Sequence, residues 1–585
     1  MLHTQDVHKQ FAEYFQVSEL KPYLYLLSKR LSEGHICIDL GQIDHAELND
    51  AGFKKMISKE DLKKEDLVGN ATEWKPLILN NDHLYLQRYF NYETLILERI
   101  QEFIRQEKNE IQQRIAALNQ QTAFIKSLFG SSGNPAIDWQ LIATLSAVLN
   151  NFTIITGGPG TGKTTTVAKI LAILFNHNPA LKVALGAPTG KAAARMAESL
   201  KNAAGILPKD IKEKFETLEP STIHRLLKSQ KGSIYFKHNK ANPIHFDVLI
   251  IDESSMIDVA LFAKLLDAIG PETKIILLGD KDQLASVEAG SLFGDLCNAQ
   301  RKLNLLSEGK ARMFNDFIED KSREITDEFI QPSNHSLFEH IIELRVSHRF
   351  SDEEGIGKFS KAIIQNKQND LLAFFENKDE RIQIDNHYSE KTFQEFIAGY
   401  RDYIEEKDVR IAFKKFNQLR VLCAIREGAQ GLYALNRAVE KYLQEQQLLN
   451  ISTDFYEHRP IIVTSNNYEL NLFNGDIGIV RKNEKGELRV WFEDNKGEIR
   501  GILPAFIENA ETVFAMTIHK SQGSEFDQVM VVLPNNEDIP ILTRELLYTG
   551  VTRAKNKVWV QSSKSVLLKT AETLVKRGSG IIARF

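Results

Sequence analysis

The sequence predicts an α/β protein with two parallel sheets, a mostly helical N-terminal region and a small β insert. Three observations lead there. Apolar, β-branched runs alternate with helical segments between residues 152 and 280, the pattern of a parallel sheet covered on both faces. A second set of such runs, Leu419–Ile425, Asp527–Leu533 and Lys557–Gln561, follows without a second glycine loop. Interrupting that set, residues 452 to 511 carry hairpin signals at Asn474-Gly475 and Asn495-Lys-Gly497 around the strand Arg489-Val-Trp-Phe492. A small barrel fits that stretch.

Composition bounds the reading without deciding it. The chain has 585 residues, enough for about three to five domains. Hydrophobic residues make up 43% and charged residues 26%, so packed cores are expected. The net charge of −5 gives no bulk attraction to nucleic acid; a nucleic-acid site would have to be a local track. Cys37, Cys297 and Cys423 are far apart and odd in number, which implies buried thiols in a reducing compartment rather than disulfides or a metal site. The polar start, Met1 to His8, and the lack of an apolar run of membrane-spanning length point to a cytoplasmic chain with no membrane segment.

Residues 1 to 130 hold no catalytic pattern. Gln10 to Arg30 and Tyr89 to Leu128 have helical periodicity, and in the second Ile96, Ile100, Ile104, Ile111, Ile115 and Leu118 recur at helical spacing. That stripe suits either a core face or a surface for a partner. Gly130-Ser-Ser-Gly-Asn-Pro135 is a linker signal and sets the first boundary.

The stretch that carries the chemistry begins at Phe152. The run Phe152–Thr156 reads as a buried strand, and Val167–Phe175 as a helix. Between them Gly157, Gly158, Pro159, Gly160, Thr161, Gly162, Lys163, Thr164 and Thr165 form a complete phosphate loop. Its glycines let backbone N–H groups approach phosphate oxygens, and the helix N-terminus adds partial positive charge. Lys163 is expected on the β- and γ-phosphates and Thr164 on Mg²⁺. The chain is therefore expected to bind ATP with Mg²⁺. Just upstream, Gln140 offers a donor and an acceptor that could read an adenine edge.

Acidic and neutral partners follow at strand ends. Phe246–Glu253 is a strand ending in Asp252 and Glu253, carboxylates that would project into the ligand crevice. Asp252 is expected to hold Mg²⁺ and Glu253 to orient or deprotonate the attacking water. Lys274–Asp280 is another strand, followed by Gln283, an amide suited to sensing the γ-phosphate. Arg349, in Leu344-Arg-Val-Ser-His-Arg, and Arg553, in Leu547-Tyr-Thr-Gly-Val-Thr-Arg, are candidates to stabilise transition-state charge from across a cleft. Thr189-Gly190 at a strand-to-helix turn leaves backbone donors free for a phosphate, or is a capped helix start; in Ser221-Thr222 either hydroxyl suits an N-cap; and Lys520, Ser521 and Gln522 suit a phosphate or sugar contact.

Eight segments in order carry a family resemblance: Gly157–Thr165, Ala187–Arg195, Ser221–Arg225, Ile251–Met256, Leu278–Val287, Ser347–Arg349, Thr517–Phe526 and Tyr548–Ala554. Together they resemble the superfamily-1 DNA helicases of the RecD-like group, closest in wording to the RecD (alpha) subunits of exodeoxyribonuclease V (RecBCD). The resemblance covers about residues 135 to 585. It implies two RecA-like lobes with the phosphate loop in the first and an SH3-like β insert in the second. The expected boundaries are 1–130 for the N-terminal helical domain, 131–335 for the first lobe, 336–451 with 512–585 for the second, and 452–511 for the insert. It implies catalytic roles for Lys163, Asp252, Glu253, Gln283, Arg349 and Arg553, and DNA contacts at Pro188, Thr189, Lys191, Thr222, His224, His519, Lys520 and Ser521.

The same resemblance implies ATP-dependent 5′-to-3′ movement on single-stranded DNA, unwinding of double-stranded DNA, and a heterotrimer with RecB-like and RecC-like subunits in double-strand-break repair and homologous recombination. The N-terminal domain would dock on a partner, by analogy alone. A stand-alone RecD-like helicase and a regulatory ATPase without its own unwinding role are the alternatives. The sequence holds no nuclease metal cluster, so a nuclease activity would belong to another subunit.

Overall fold

A computed structural model describes residues 6–130, 136–230, 232–290, 292–351, 353–376, 379–467, 469–494, 497–575 and 577–585. Met1–Gln5, most of the expected linker (131–135) and the Asn495-Lys496 hairpin tip lie outside the described residues.

The N-terminal region is helical at both ends, with a small sheet between. Helix Val7–Tyr14 is capped by Asp6, whose carboxylate accepts from His8 and Lys9 N–H. Helix Lys21–Ser32 buries Leu24 and Leu27 against Leu20, Leu62, Leu77 and Leu84. Four short strands follow in the order Cys37–Asp39, His83–Leu86, Leu77–Asn80, Val68–Gly69. This sheet was not foreseen from the sequence; its strands are two to four residues long, too short for a period-2 pattern to stand out.

Helix Gln87–Gln120 then runs along the first lobe. Ile96, Ile100 and Phe103 are buried with Phe262, Leu265 and Leu266 of helix Val259–Asp267. Arg99 Nε donates to the Leu266 carbonyl at 3.2 Å, at the negative end of that helix. Glu107 accepts from Asn151 N–H at 2.7 Å and from His340 at 2.8 Å. The isoleucine stripe is thus a core face shared with the first lobe.

Two all-parallel sheets form the lobes. The first has the order Ile341–Leu344, Phe152–Gly157, Lys274–Gly279, Val248–Ile251, Val183–Ala187, Ser221–Thr222. The second has the order Ile382–Asp385, Ala554–Gln561, Phe526–Val532, Leu419–Cys423, Ala515–Thr517. The expected boundary at 335/336 needs correction. Ile341–Leu344 pairs with the phosphate-loop strand, so the first lobe runs to Leu344. The insert is one antiparallel sheet, in the order Ile499–Ile502, Leu488–Glu493, Ile477–Lys482, Pro460–Val463, Ala510–Thr512. All three cysteines are free and buried.

The C-terminal tail returns from the second lobe. After helix Lys564–Glu572, the Val575 N–H is held by Glu545 of the second lobe at 3.0 Å. Arg577 donates to the carbonyls of Glu288 (3.2 Å) and Gly290 (3.3 Å) in the first. Beyond it Glu93, fully buried, accepts from Gly580 N–H and Arg584 at 2.8 Å each and from the Tyr85 hydroxyl at 3.1 Å.

Candidate functional site

The site lies at the carboxyl ends of the strands, where the two lobes face each other. Strand Phe152–Gly157 ends at the phosphate loop, and helix Lys163–His177 begins directly after it. Gly160 (φ +79°) and Gly162 (φ +84°) take left-handed backbone. A Cβ at Gly160 would collide with the Arg349 side chain, and one at Gly162 with the Gln140 amide. Glycine is required there twice over, for backbone and for space. Lys163 Nζ donates to the carbonyls of Gly157 (2.6 Å) and Gly158 (3.2 Å).

The neighbouring strands deliver the acids. Asp252 follows strand Val248–Ile251, and its carboxylate accepts from Glu253 N–H at 2.8 Å. Glu253 itself has φ +52°, a conformation that costs a non-glycine residue on the order of 1–3 kcal/mol and clusters at functional sites. Burial and the adjacent Glu253 charge push the Asp252 carboxyl up, while Lys163 opposes them. Gln283 is buried, and its amide donates to Asp280 at 3.0 Å.

Arginines close the cleft from its other walls. Arg349 pairs with Glu525 at 2.7 Å, and Arg195 pairs with the same carboxylate oxygen. Burial raises the Glu525 carboxyl, but the two guanidiniums outweigh it and hold it down to about 2. Arg553 is 3% exposed, with its Nε on the Thr549 carbonyl at 3.2 Å and Nη1 on the Ser524 carbonyl at 3.3 Å.

One cavity of about 660 Å³ gathers these groups. It is lined by Pro159 to Thr165, Asp252, Glu253, Gln283, Arg349 and Arg553, with Gln140, Arg195 and Glu525. A second cavity of about 330 Å³ adjoins it at Gln140, Thr161 and His348, walled by Phe129, Trp139 and Arg345. Gln140 Nε2 donates to the Thr161 carbonyl at 3.1 Å and meets His348 Nε2 at 3.2 Å. Six expected catalytic residues from both lobes thus meet in one space of ligand size.

The expected DNA contacts sit at neighbouring strand ends. Thr189 and Thr222 use their hydroxyls as helix caps, accepting from Ala192 N–H (3.2 Å) and Arg225 N–H (3.3 Å). Pro188 and Thr189 are half-buried and Lys191 and His224 are exposed, while His519 and Lys520 are half-buried in the second lobe. Ser521 departs from expectation. It is fully buried and donates to the Ile518 carbonyl at 2.7 Å, so its hydroxyl is turned away from the surface. Gln522 also turns inward, donating to the Leu284 carbonyl at 2.7 Å. Sequence reasoning gave no site role to Arg195, Asp280, Glu525 and Tyr548, although each lies in a segment that carries the resemblance. A charged residue flanked by apolar ones, as in Ala-Ala-Ala-Arg195, was the available signal.

Comparison with known proteins fits this geometry. Residues 8–85 match the model of the RecBCD enzyme subunit RecD, N-terminal domain. Residues 140–289 match the AAA domain model, and 512–561 the UvrD-like helicase C-terminal domain model. The RecBCD enzyme subunit RecD of Haemophilus influenzae is 36% identical over 478 residues, 76% of this chain and 72% of that one. The chain belongs to the RecD family. It is an ATP-dependent DNA helicase. The RecBCD enzyme subunit RecD of Mycolicibacterium smegmatis is 32% identical over 96% of this chain and 92% of that one. The ATP-dependent RecD2 DNA helicase of Deinococcus radiodurans is 29% identical over 70% of this chain and 47% of that one. Among the described residues no helix is long and apolar enough to cross a membrane.

Proposed function

We propose that this RecD-family chain is the motor subunit of a RecBCD-type complex, moving 5′ to 3′ along single-stranded DNA on ATP. Its partners in this reading are RecB-like and RecC-like subunits, in the cytoplasm, and its pathway is double-strand-break repair. The observation that carries the motor reading is the single cavity joining the phosphate loop of one lobe to arginines on its other walls. A ligand that touches both lobes can change their separation, and hydrolysis then reverses the change. The complex reading is supported by the RecD N-terminal match over 8–85. In that module Tyr14 and Trp74 are 80% and 85% exposed, large side chains suited to docking.

In the proposed reaction Lys163 exchanges the Gly157 and Gly158 carbonyls for β- and γ-phosphate oxygens. Gln140 orients the adenine beside Trp139. Glu253 orients the attacking water and takes its proton, and Gln283 holds that water in line. Arg349 and Arg553 stabilise the charge that builds on the transferred phosphoryl group. Thr164 and Asp252 supply only oxygen donors, and the charge-strained Asp252–Glu253 pair suits a hard divalent cation. These two residues would hold Mg²⁺, which when bound neutralises charge on the β- and γ-phosphates.

On the DNA side, Pro188, Thr189, Lys191, Thr222, His224, His519 and Lys520 are the proposed track. Its contacts would be to backbone and stacked bases, because a motor must run over any sequence.

The test is ATP hydrolysis with and without single-stranded DNA, on wild type and Lys163→Gln, alone and with partner subunits. DNA-stimulated turnover that is lost in the variant and rises with partners is the expected result. Unwinding of 5′-tailed but not 3′-tailed duplexes checks the direction. Turnover indifferent to DNA under every condition would overturn the motor reading.

A further inference from the structure

We infer that Tyr548, Thr549 and Asp280 form a latch between the lobes that positions Gln283 and Arg553 together for ATP hydrolysis. The inference rests on the roles proposed above for Gln283 and Arg553. The stretch Asp280–Leu284 of the first lobe is gripped from the second at three points. The Tyr548 hydroxyl donates to Asp280 Oδ2 at 3.1 Å, Leu284 N–H donates to Thr549 Oγ1 at 2.9 Å, and Gln522 Nε2 donates to the Leu284 carbonyl at 2.7 Å. Tyr548, Thr549 and Asp280 are all buried, at 7%, 0% and 2% exposure, so water does not compete for these bonds.

Both proposed catalytic groups are referenced to this latch. Asp280 Oδ2, the oxygen that receives Tyr548, also accepts from Gln283 Nε2 at 3.0 Å. Arg553 Nε donates to the carbonyl of Thr549 at 3.2 Å. The Tyr548 hydroxyl also stands 2.9 Å from where a Cβ on Gly158 would be, hard against the phosphate loop. When the latch is made, the γ-phosphate sensor of one lobe and the arginine of the other are set relative to each other. Without it, Gln283 loses the fixed geometry of its carboxylate partner. Asp280, Tyr548 and Thr549 are positioning residues and need not touch ATP.

The experiment is steady-state ATP hydrolysis by the full chain with saturating single-stranded DNA. The variants are Tyr548→Phe, Asp280→Asn, the double variant and Thr549→Val, with Lys163→Gln as reference. Tyr548→Phe and Thr549→Val should each lower kcat about tenfold, the effect of one charge-assisted or buried hydrogen bond expressed in the transition state. KM for ATP should move less than about threefold, because ground-state binding is spared. Asp280→Asn with Tyr548→Phe should cost little more than the worse single variant, as coupled residues do. Two near-isosteric variants on separate bonds keep the result independent of either one's folding. A kcat within about twofold of wild type for both, while Lys163→Gln abolishes turnover, would overturn the latch alone. Independent, multiplying effects in the double variant would overturn it too. If Lys163→Gln keeps full turnover, the proposed ATP site falls and the latch with it.

Discussion

Arg584→Ala should loosen the C-terminal tail from helix Gln87–Gln120. Glu93 is fully buried, and Arg584 is the cation paired with it. Removing one partner of a buried ion pair costs about 3–5 kcal/mol, because the remaining charge stays out of water. Here Glu93 keeps the Gly580 N–H and the Tyr85 hydroxyl, so the low end, about 3 kcal/mol, applies. A loss of that size in local stability speeds amide exchange by about a hundredfold. The assay is hydrogen–deuterium exchange by mass spectrometry on peptides covering 578–585, with the Phe152–Phe175 peptide as internal control. Glu93→Gln with Arg584→Met removes both charges and should restore most of the protection. If Arg584→Ala speeds tail exchange less than threefold, the ion pair is not what holds the tail. Ser579 on Asp295 at 2.7 Å, Arg577 and buried Ile581 would then be sufficient.

Three further outcomes follow from the cleft and the core. Glu525→Gln should destabilise the chain by about 3 kcal/mol at neutral pH, from a carboxyl held near 2 against an ordinary value of 4.5. With the folded value depressed, that contribution is present above about pH 4.5 and fades as pH falls toward 2; denaturant unfolding of variant and wild type across that range should converge. Gly160→Ala places a side chain in left-handed backbone and into Arg349, so binding of a fluorescent ATP analogue should weaken at least a hundredfold while far-ultraviolet circular dichroism stays unchanged. Burial pushes the Cys423 thiol up to about 12 and raises Cys37 and Cys297 as well; a thiol reagent should label none of the three in the native chain and all three in denaturant.

What the sequence made legible was local. The phosphate loop, Asp252-Glu253 and Gln283 each follow a strand whose apolar pattern could be read over a few residues, whereas Arg349 and Arg553 were legible only through the short segments Ser347–Arg349 and Tyr548–Ala554 that carry the resemblance. Ile341–Leu344 escaped because its membership of the first sheet depends on pairing with Phe152–Gly157, almost two hundred positions earlier. Ile382–Asp385 escaped for a related reason: the strand is four residues long, and alternation over so short a run is too brief to count.

The contacts that couple the lobes were the least legible part. Tyr548 to Asp280 spans 268 positions, and Arg195 to Glu525 spans 330. Nothing in either local pattern distinguishes a tyrosine or glutamate that reaches across a cleft from one that faces solvent. The Gln522 amide makes the same point from the opposite side. At the sequence level it reads as a phosphate or sugar ligand, and in the fold it bonds the backbone of Leu284. Strand ends announce where ligands bind, because the sheet geometry is the same in every parallel α/β lobe. How one lobe is registered on the other depends on pairs of side chains that meet only after both lobes have formed. The long-range hydrogen bonds of Asp280, Leu284 and Glu525 are therefore where a homologous protein could change its coupling while leaving the phosphate loop and the Asp252-Glu253 pair intact.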